Sequence, residues 1–212
     1  MALTLNQSSA KIFRITHRAN LPWILDNGLH ARNGTLQDPH FRNIGLPDLI
    51  DRRSRRTVPV APGGTLHDYV PFYFTPFSIM MFNICTGHGV APVPRQDILI
   101  LVSTLHHVAA AGVRFIFTNQ HAYPEMAEYF TRMENLNRID WSLLQSRDFR
   151  HDSEDPAKKE RYQAEALLWK HVPLSAIQGV CCFDQQVLGD IQHQIQQRGI
   201  DFKAAAQPQW YF

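Results

Sequence analysis

The sequence predicts one domain of mixed α/β or α+β class, and three observations support this prediction. Short runs of apolar and β-branched residues recur along the chain, and helical patterns separate most of them. The chain has 212 residues, enough for one compact domain with a sizeable core. No internal repeat or low-complexity linker divides it. We therefore expect one α+β domain covering residues 1–212.

The first half of the chain begins with a strand and a short helix. Residues 11–16 alternate apolar and polar side chains and lead into a turn at His17. Asn20 is placed to cap the next helix, with Pro22 in its first turn and Gly28 at its end. After a polar irregular stretch, the patterns predict a helix over 46–55, a strand over 70–74 and a helix over 77–85.

The second half continues the alternation of strands and helices. The run ILILVS (98–103) is apolar enough to be a central strand, and a helical stretch separates it from a strand at 114–118. Residues 125–144 are expected to be mostly helical, and 145–162 to form a long charged surface segment. The last predicted elements are strands over 165–169 and 176–182, a polar helix from about residue 184 and a short C-terminal strand.

Composition favours a cytoplasmic protein. The 21 basic against 19 acidic residues give a net charge of +2, which neither excludes nor demands a polyanionic partner. The first residues lack a basic start and an apolar run, and no stretch approaches the ~20 apolar residues of a membrane span. Three cysteines cannot all pair, and the adjacent Cys181 and Cys182 look like buried strand residues. We expect a reducing cytoplasm and no membrane association.

The stretch RYQAEALLW (161–169) places a carboxylate inside an apolar run. An extended chain would hold Glu165 against a partly dry surface, where an ionised group needs a partner or a task. It is either one member of a structural ion pair or a catalytic residue.

Four arginines lie within five residues in DRRSRR (51–56). If the segment is helical, Arg52, Arg55 and Arg56 share a face and Arg53 points elsewhere. The cluster is either a solvated basic face or a site for phosphate, which guanidinium groups bind well.

The aromatic stretch GGTLHDYVPFYFTPFS (63–78) is either a core strand or a platform that stacks a nicotinamide ring or nucleobases. Other chemistries lack their patterns. The eleven histidines show no zinc-ligand spacing, so we expect no metal. Neither G-x-G-x-x-G, a P-loop nor G-x-S-x-G occurs.

Five separated motifs together resemble the DarT family. They are RITHRANLPWILDNGL (14–29), the paired arginines of DRRSRR, the aromatic stretch 63–78, FTNQHAY (117–123) and RYQAEALLW. The family comprises bacterial toxins that ADP-ribosylate bases in single-stranded DNA with NAD as the donor. The likeness runs from about residue 11 to the terminal WYF. It implies an ADP-ribosyltransferase fold: two small β-sheets around a cleft that holds bent NAD, with helices at the periphery.

The resemblance also implies catalytic roles for two residues. Glu165 matches the glutamate that faces the nicotinamide ribose, where it would stabilise developing positive charge and accept the proton of the attacking base. Arg53 matches the family's functional arginine and would polarise the acceptor base. An arginine cannot itself be the base at neutral pH.

NAD-binding residues follow from the same likeness. Arg14, Thr16, His17 and Asn20 match the segment that holds the adenosine ribose and the nicotinamide amide. Leu29 and the following loop would cover the cofactor, and Tyr73 would stack against nicotinamide. Whether Arg14 or His17 makes the ribose contact stays open.

The segment 145–164 precedes Glu165, where transferases of this type carry a substrate-recognition loop. Tyr162 or Phe149 could support a base there, and His121 is expected near the acceptor. The basic side chains that could hold DNA phosphates are Arg147, Arg150, Lys158, Lys159 and Arg161.

The resemblance therefore predicts a toxin that transfers ADP-ribose to thymidine in single-stranded DNA, with the macrodomain antitoxin DarG as its protein partner. The alternatives are an ADP-ribosyltransferase that acts on guanine, RNA or protein, and a catalytically silent nucleic-acid-binding module. A silent module would explain the arginines and aromatic residues but not Glu165.

Overall fold

The computed structural model describes residues 3–212. Strands and helices alternate along this part of the chain. The strands are β1 Lys11–His17, β2 Leu29–His30, β3 Tyr69–Tyr73, β4 Ile98–Thr104, β5 Phe115–Thr118, β6 Tyr129–Phe130, β7 Glu165–Trp169, β8 His171–Val172, β9 Gly179–Cys182 and β10 Lys203–Ala206. The α-helices are α1 Leu21–Asn27, α2 Pro47–Arg55, α3 Ile79–Thr86, α4 Leu105–Ala110, α5 Trp141–Ser146, α6 Lys158–Arg161 and α7 Gln185–Arg198.

Eight strands form the main sheet, in the order β10-β9-β4-β1-β3-β7-β5-β6. All of β1 pairs antiparallel with β4. On its other side, β1 pairs with β3 at one position, Phe13 opposite Tyr73. The sheet thus consists of two four-stranded halves joined at a single pair. The two halves correspond to the two small sheets that were expected. By hydrogen bonding they count as one eight-stranded sheet, and β2 and β8 form a separate two-stranded sheet.

The core lies against the middle of this sheet. Strand β4 lies between β1 and β9, and its residues 98–101 are completely buried, so the predicted central strand is confirmed. Cys181 and Cys182 are buried free thiols on β9, as expected for strand residues. Helix α7 buries Val187, Ile191 and Ile195, one turn apart, against the sheet.

The two-stranded sheet pairs β2 with β8, with Leu29 opposite Val172. Gly28 enters β2 with φ +74°, and a Cβ there would lie 2.4 Å from the Val172 carbonyl oxygen. Only glycine fits both the backbone angle and the close approach. The small sheet fastens the start of the loop 31–46 to the chain that leaves β7.

Two predicted elements are wrong or displaced. Residues 125–144 are not mostly helical, because Tyr129–Phe130 pairs with the edge of β5 and leaves only a 3-10 turn at Met133–Arg138 and the start of α5. Cross-strand pairing here outweighs local helical preference. The strand expected over 176–182 begins at Gly179, after a 3-10 turn at Leu174–Ala176.

Within residues 3–212, no helix is both long and apolar enough to span a bilayer.

Candidate active site

Glu165 is the first residue of β7 and pairs with Tyr73, the last residue of β3. It is 1% exposed. The apolar residues that follow it, Ala166 to Leu168, bury both faces of the strand. The carboxylate is therefore fixed beside the junction of the two half-sheets, at the floor of a cleft.

Arg53 is the partner that this buried carboxylate requires. Its two terminal nitrogens donate to the two oxygens of Glu165 at 3.0 and 2.9 Å, a bidentate ion pair. Helix α2 turns Arg53 inward and leaves Arg52 and Arg55 exposed, as the spacing predicted. The cluster is thus neither a uniform basic face nor a uniform phosphate site.

The loop after β5 supplies two further groups. The Ala122 backbone N–H donates to Glu165 Oε1 at 3.0 Å. His121 Nε2 lies 3.6 Å from the same oxygen, so the histidine expected near the acceptor lies beside the catalytic candidate. Tyr129 of β6 fixes this loop through a hydrogen bond from its hydroxyl to the Ala122 carbonyl.

The Glu165 carboxyl is held ionised. Burial raises its pKa, but the charge and hydrogen bonds of Arg53, with smaller contributions from His121 and Ala122, bring the pKa below its ordinary value. Burial lowers the pKa of His121, and the attraction of Glu165 does not restore it. The guanidinium of Arg53 keeps its charge whatever the protonation state of His121, so it is the main positive charge that stabilises the carboxylate.

A cavity of about 420 Å³ opens above this pair, within the usual size range of ligand pockets. Four of the predicted NAD-binding residues line it: Arg14, Thr16, Leu29 and Tyr73. Arg14 donates to the Pro71 carbonyl across the junction, while its Nε is buried without a partner among the described residues. Burial lowers the Arg14 pKa to about 10. A buried guanidinium with an unused donor suits an incoming polar or anionic group.

The other two predicted NAD residues, Asn20 and His17, are not among the residues that line the cavity. Asn20 donates to Thr16 Oγ1 at 3.0 Å, and it exchanges hydrogen bonds with the backbone of Arg42. It occupies the N-cap position of α1 without a side-chain cap bond, so its predicted capping role is wrong. His17 is 9% exposed, and its Nδ1 accepts a hydrogen bond from the Ala19 N–H. Both residues position others in this structure.

The structure adds cavity residues that sequence reasoning missed. They are Trp23, Arg32, Arg42, Asn43, His67 and Met80. Arg32 and Arg42 lie on the loop after Leu29, which the resemblance placed over the cofactor without naming its residues. The sequence signal for them is the presence of arginines, the residue type that suits phosphate groups, on that loop. With Arg14, they make the cleft basic.

Of the predicted DNA-binding side chains, His121 lines the cavity, and the five basic ones lie outside it on the segment 145–164. Three of them are held by carboxylates of the same segment or nearby. Lys158 contacts Asp148 at 2.9 Å, Arg150 contacts Asp148 at 2.8 Å, and Arg161 contacts Asp155 at 2.7 Å. Arg147 lies 3.6 Å above the Phe77 ring, and Lys159 is exposed.

The two aromatic candidates of the segment are structural here. Tyr162 is 1% exposed and donates to the Phe77 carbonyl at 3.0 Å. Phe149 packs against Tyr162, Phe82 and Phe212. Both anchor the segment to the core.

Within residues 3–212, no three histidine, cysteine or acidic side chains gather in a way that could hold a metal ion.

Two half-sheets meet beside the buried Glu165, and arginines line the cleft above it. This arrangement defines the class of protein: the chain has the ADP-ribosyltransferase fold. Solved structures agree. It superposes on Thermus sp. 2.9 DarT in complex with ADP-ribosylated ssDNA with a TM-score of 0.89, at 32% identity and covering 100% of both chains. The complex of that protein with NAD+ gives a TM-score of 0.85 at 32% identity, covering 96% of this chain and 98% of the other.

More particularly, the chain belongs to the DarT family. The family model described as "ssDNA thymidine ADP-ribosyltransferase, DarT" matches residues 13–212. A DNA ADP-ribosyl transferase of Escherichia coli O127:H6 is 50% identical over 210 residues, 99% of this chain and 96% of the relative. One from Thermus sp. (strain 2.9) is 35% identical over 208 residues, 95% of each. The predicted family, fold and enzyme class are confirmed.

Proposed function

We propose that this protein transfers ADP-ribose from NAD to the thymine base of single-stranded DNA. The observation that carries the proposal is the buried Glu165 carboxylate, held ionised by Arg53 at the floor of a basic cleft. Membership of the thymidine-modifying family supports the acceptor. The NAD+ and ADP-ribosylated ssDNA complexes of the Thermus relative support the donor and the nucleic-acid form.

Glu165 stabilises the transition state electrostatically. When bound, NAD supplies an ADP-ribosyl group and nicotinamide as a neutral leaving group. Positive charge develops on the ribose as nicotinamide departs, and a fixed carboxylate stabilises that charge and orients the sugar. Glu165 also accepts the proton of the base nitrogen that attacks, a contribution typically worth ~10²–10⁴-fold in rate.

Arg53 has two tasks that follow one another. Before substrates bind, it occupies both oxygens of Glu165 and keeps the carboxylate ionised. Once one oxygen turns to the ribose, an N–H group of Arg53 is free to donate to a carbonyl of the acceptor base, which makes the ring nitrogen easier to deprotonate. Its permanent charge suits this polarising role and excludes a role as base.

Arg14, Thr16, Tyr73 and Leu29 hold the donor in this proposal. Tyr73 offers its ring to nicotinamide, and Leu29 closes the far side of the cleft. Arg14 faces the cavity directly, so we favour it over His17 for the ribose contact. His17 and Asn20 act by fixing the turn after β1.

The segment 145–164 and His121 receive the DNA. Arg147 and Lys159 are free of carboxylate partners within residues 3–212, whereas Arg150, Lys158 and Arg161 must exchange an internal carboxylate for a phosphate. We therefore assign the first phosphate contacts to Arg147 and Lys159. Arg150, Lys158 and Arg161 stiffen the loop before DNA arrives.

In the cell, such a modification would block the replication template, so we propose a toxin acting in the cytoplasm. The macrodomain protein DarG is the proposed partner, as the antitoxin that removes the mark. Co-expression with and without a DarG protein tests this pairing through growth.

Mass spectrometry of single-stranded oligonucleotides, varied in sequence and incubated with NAD, tests the reaction. We expect an ADP-ribose adduct on thymine with the parent protein and none with Glu165→Gln, which keeps the shape of the side chain. Glu125→Gln is the matched control, because Glu125 is exposed and in no ion pair among residues 3–212. Absence of any DNA adduct from parent protein that binds NAD would overturn DNA as the acceptor, and an adduct on guanine would overturn thymine.

A further inference from the structure

His121 lies between two carboxylates. Its Nε2 is 3.6 Å from Glu165 Oε1, and its Nδ1 is 3.7 Å from Glu160 Oε2. The His121 backbone N–H donates to the Glu160 carbonyl at 2.9 Å, which fixes the two loops against each other. The histidine side chain is 14% exposed and that of Glu160 is 41% exposed. The three groups thus form a line from the floor of the cleft to solvent.

Glu160, at the outer end of this line, has an unused oxygen that faces His121. Its Oε2 is buried and has no hydrogen-bond partner among residues 3–212. The oxygen is 3.7 Å from the imidazole, so a shift of less than 1 Å makes a hydrogen bond. Buried polar atoms without a partner are uncommon and ask for an explanation.

The proposed reaction creates a need for such a line. Glu165 receives the N3 proton of thymine, but Arg53 and the Ala122 N–H are bonded to its oxygens and favour the ionised form. A carboxyl in that setting does not keep a proton. His121 lies 3.6 Å from this carboxylate and 3.7 Å from that of the partly exposed Glu160, so it offers the proton an exit.

We propose that His121 and Glu160 carry the proton of the acceptor base from Glu165 to solvent. This inference rests on the proposed function. His121 takes the proton on Nε2 and releases another from Nδ1 to Glu160, which exchanges it with water. Glu160 acts through His121 and is a positioning residue in this sense, while His121 is next to the reacting groups.

The step balances in atoms and charge. The N3–H bond of thymine breaks and its electron pair stays on N3, which bonds to C1′ of the ribose. The bond from C1′ to the nicotinamide nitrogen breaks, and its pair leaves with neutral nicotinamide. One proton passes from N3 to Glu165, on to His121 and out through Glu160. Glu165 and Glu160 return to their starting forms, and His121, left with its proton on Nε2, is reset by ring rotation or by proton exchange with water before the next turnover.

The charges around His121 fit a carrier that does not retain the proton. Glu165 on β7 and Glu160 on α6 favour its protonated form, and Arg53 and Arg52 on α2 oppose it. The Tyr123 ring lies beside the imidazole on the same loop. Burial opposes the charged imidazole most strongly and the arginines add to it, so the imidazolium passes its proton on rather than accumulating.

An acceptor of altered acidity tests the relay. Single-turnover transfer rates are measured with saturating NAD on oligonucleotides that carry one acceptor, either thymine or 5-bromouracil, whose electron-withdrawing bromine makes N3–H more acidic. Glu160→Gln is expected to slow transfer to thymine about ten-fold or more, a part of what general-base help is worth. The loss should shrink several-fold with 5-bromouracil, because a more acidic base depends less on proton removal. Glu125→Gln should match the parent on both acceptors.

The same measurement separates the relay from a structural role. If Glu160→Gln slows both acceptors equally, or neither, the relay is overturned and the DNA-modifying function stands. If the parent modifies neither acceptor, the proposed function fails and the relay with it.

A second variant tests the relay independently, in case the Glu160→Gln protein does not fold. His121→Gly should lose most transfer and regain it with added imidazole. Pyrazole, which has the same size but is a far weaker base, should not restore it. Equal rescue by the two compounds, or no rescue by imidazole in a folded protein that binds NAD, would count against the relay.

Discussion

At the scale of single residues, the buried ion pair between Arg53 and Glu165 has the clearest energetic consequences. A buried ion pair gives little net stability, because each charge has lost its hydration. Removing one partner is different, since the remaining charge stays buried alone at a cost of about 3–5 kcal/mol. We infer that the pair is kept for chemistry rather than for folding.

The pH dependence of unfolding follows from the pKa directions at this pair. The pKa of Glu165 lies below its ordinary value in the folded protein, so its contribution is complete above the unfolded pKa of about 4.5. It is lost as the pH falls through the lower folded value. We expect the parent to lose stability below about pH 4.5 more steeply than Arg53→Met/Glu165→Gln. Urea unfolding from pH 7 to 3 measures this.

His121 requires a matched background in that comparison. Its folded pKa is also lowered, so the unfolded chain takes up its proton first and stability falls below about pH 6.5. Both proteins therefore carry His121→Gln. Parallel curves below pH 4.5 would show that Glu165 is not held ionised by Arg53.

At the level of elements, the two-stranded sheet couples the cofactor loop to the catalytic strand. Strand β2 carries Leu29 into the cleft, and β8 follows β7 after one residue. Lys170, the residue between β7 and β8, bonds to the Asp68 carboxylate, which Asn33 of the loop also contacts at 3.3 Å. Movement of either strand would shift both the donor site and Glu165.

Gly28→Ala tests this coupling. The positive φ and the 2.4 Å approach to the Val172 carbonyl mean that a methyl group must push β2 away from β8. We expect a loss of at least about 1–3 kcal/mol in stability and weaker NAD binding. Thermal unfolding and calorimetric titration with NAD measure the two effects.

Gly189→Ala is the control on helix α7. A Cβ there meets nothing within 4 Å, and the residue is helical, so the change should stabilise by roughly 0.5–1 kcal/mol without affecting NAD. Equal NAD affinity in the two variants would break the link between the small sheet and the cleft.

For the whole molecule, charge placement matters more than net charge. The net charge is only +2, yet arginines face the cleft and basic residues follow the segment 145–164. Contacts to phosphate release counterions, so binding of single-stranded DNA weakens with salt by a slope of about −0.7 per phosphate contact.

Lys159→Gln tests the DNA path at this scale. Lys159 is exposed on α6 and in no ion pair among the residues described, so its loss should weaken DNA binding and reduce the salt slope by about 0.7. Lys203→Gln, on β10 at the far edge of the sheet, is the matched control and should leave the slope unchanged. Fluorescence anisotropy at several salt concentrations measures the slopes, and equal slopes would remove Lys159 from the path.

Local patterns predicted most elements because each pattern carried its own physical signal. The alternation at 11–16, the glycine at residue 28 and the apolar run at 98–103 each limit the backbone by themselves. Residues 125–144 have no such signal, since their structure depends on pairing with β5. The roles given to the site residues stay predictions, as does the single domain.

The sequence by itself determined the order of most strands and helices and the family. It also singled out Glu165 and Arg53 as the candidate catalytic residues. It determined these because periodicity, turn residues and motif order are local properties of the chain. Only the tertiary structure decided that Arg53 forms an ion pair with Glu165, 112 positions away in the sequence. It also decided that Arg32 and Arg42 line the cleft, and that His121 lies between Glu165 and Glu160. Those contacts join distant segments, and the free energy that brings them together belongs to the packed sheet rather than to any one stretch.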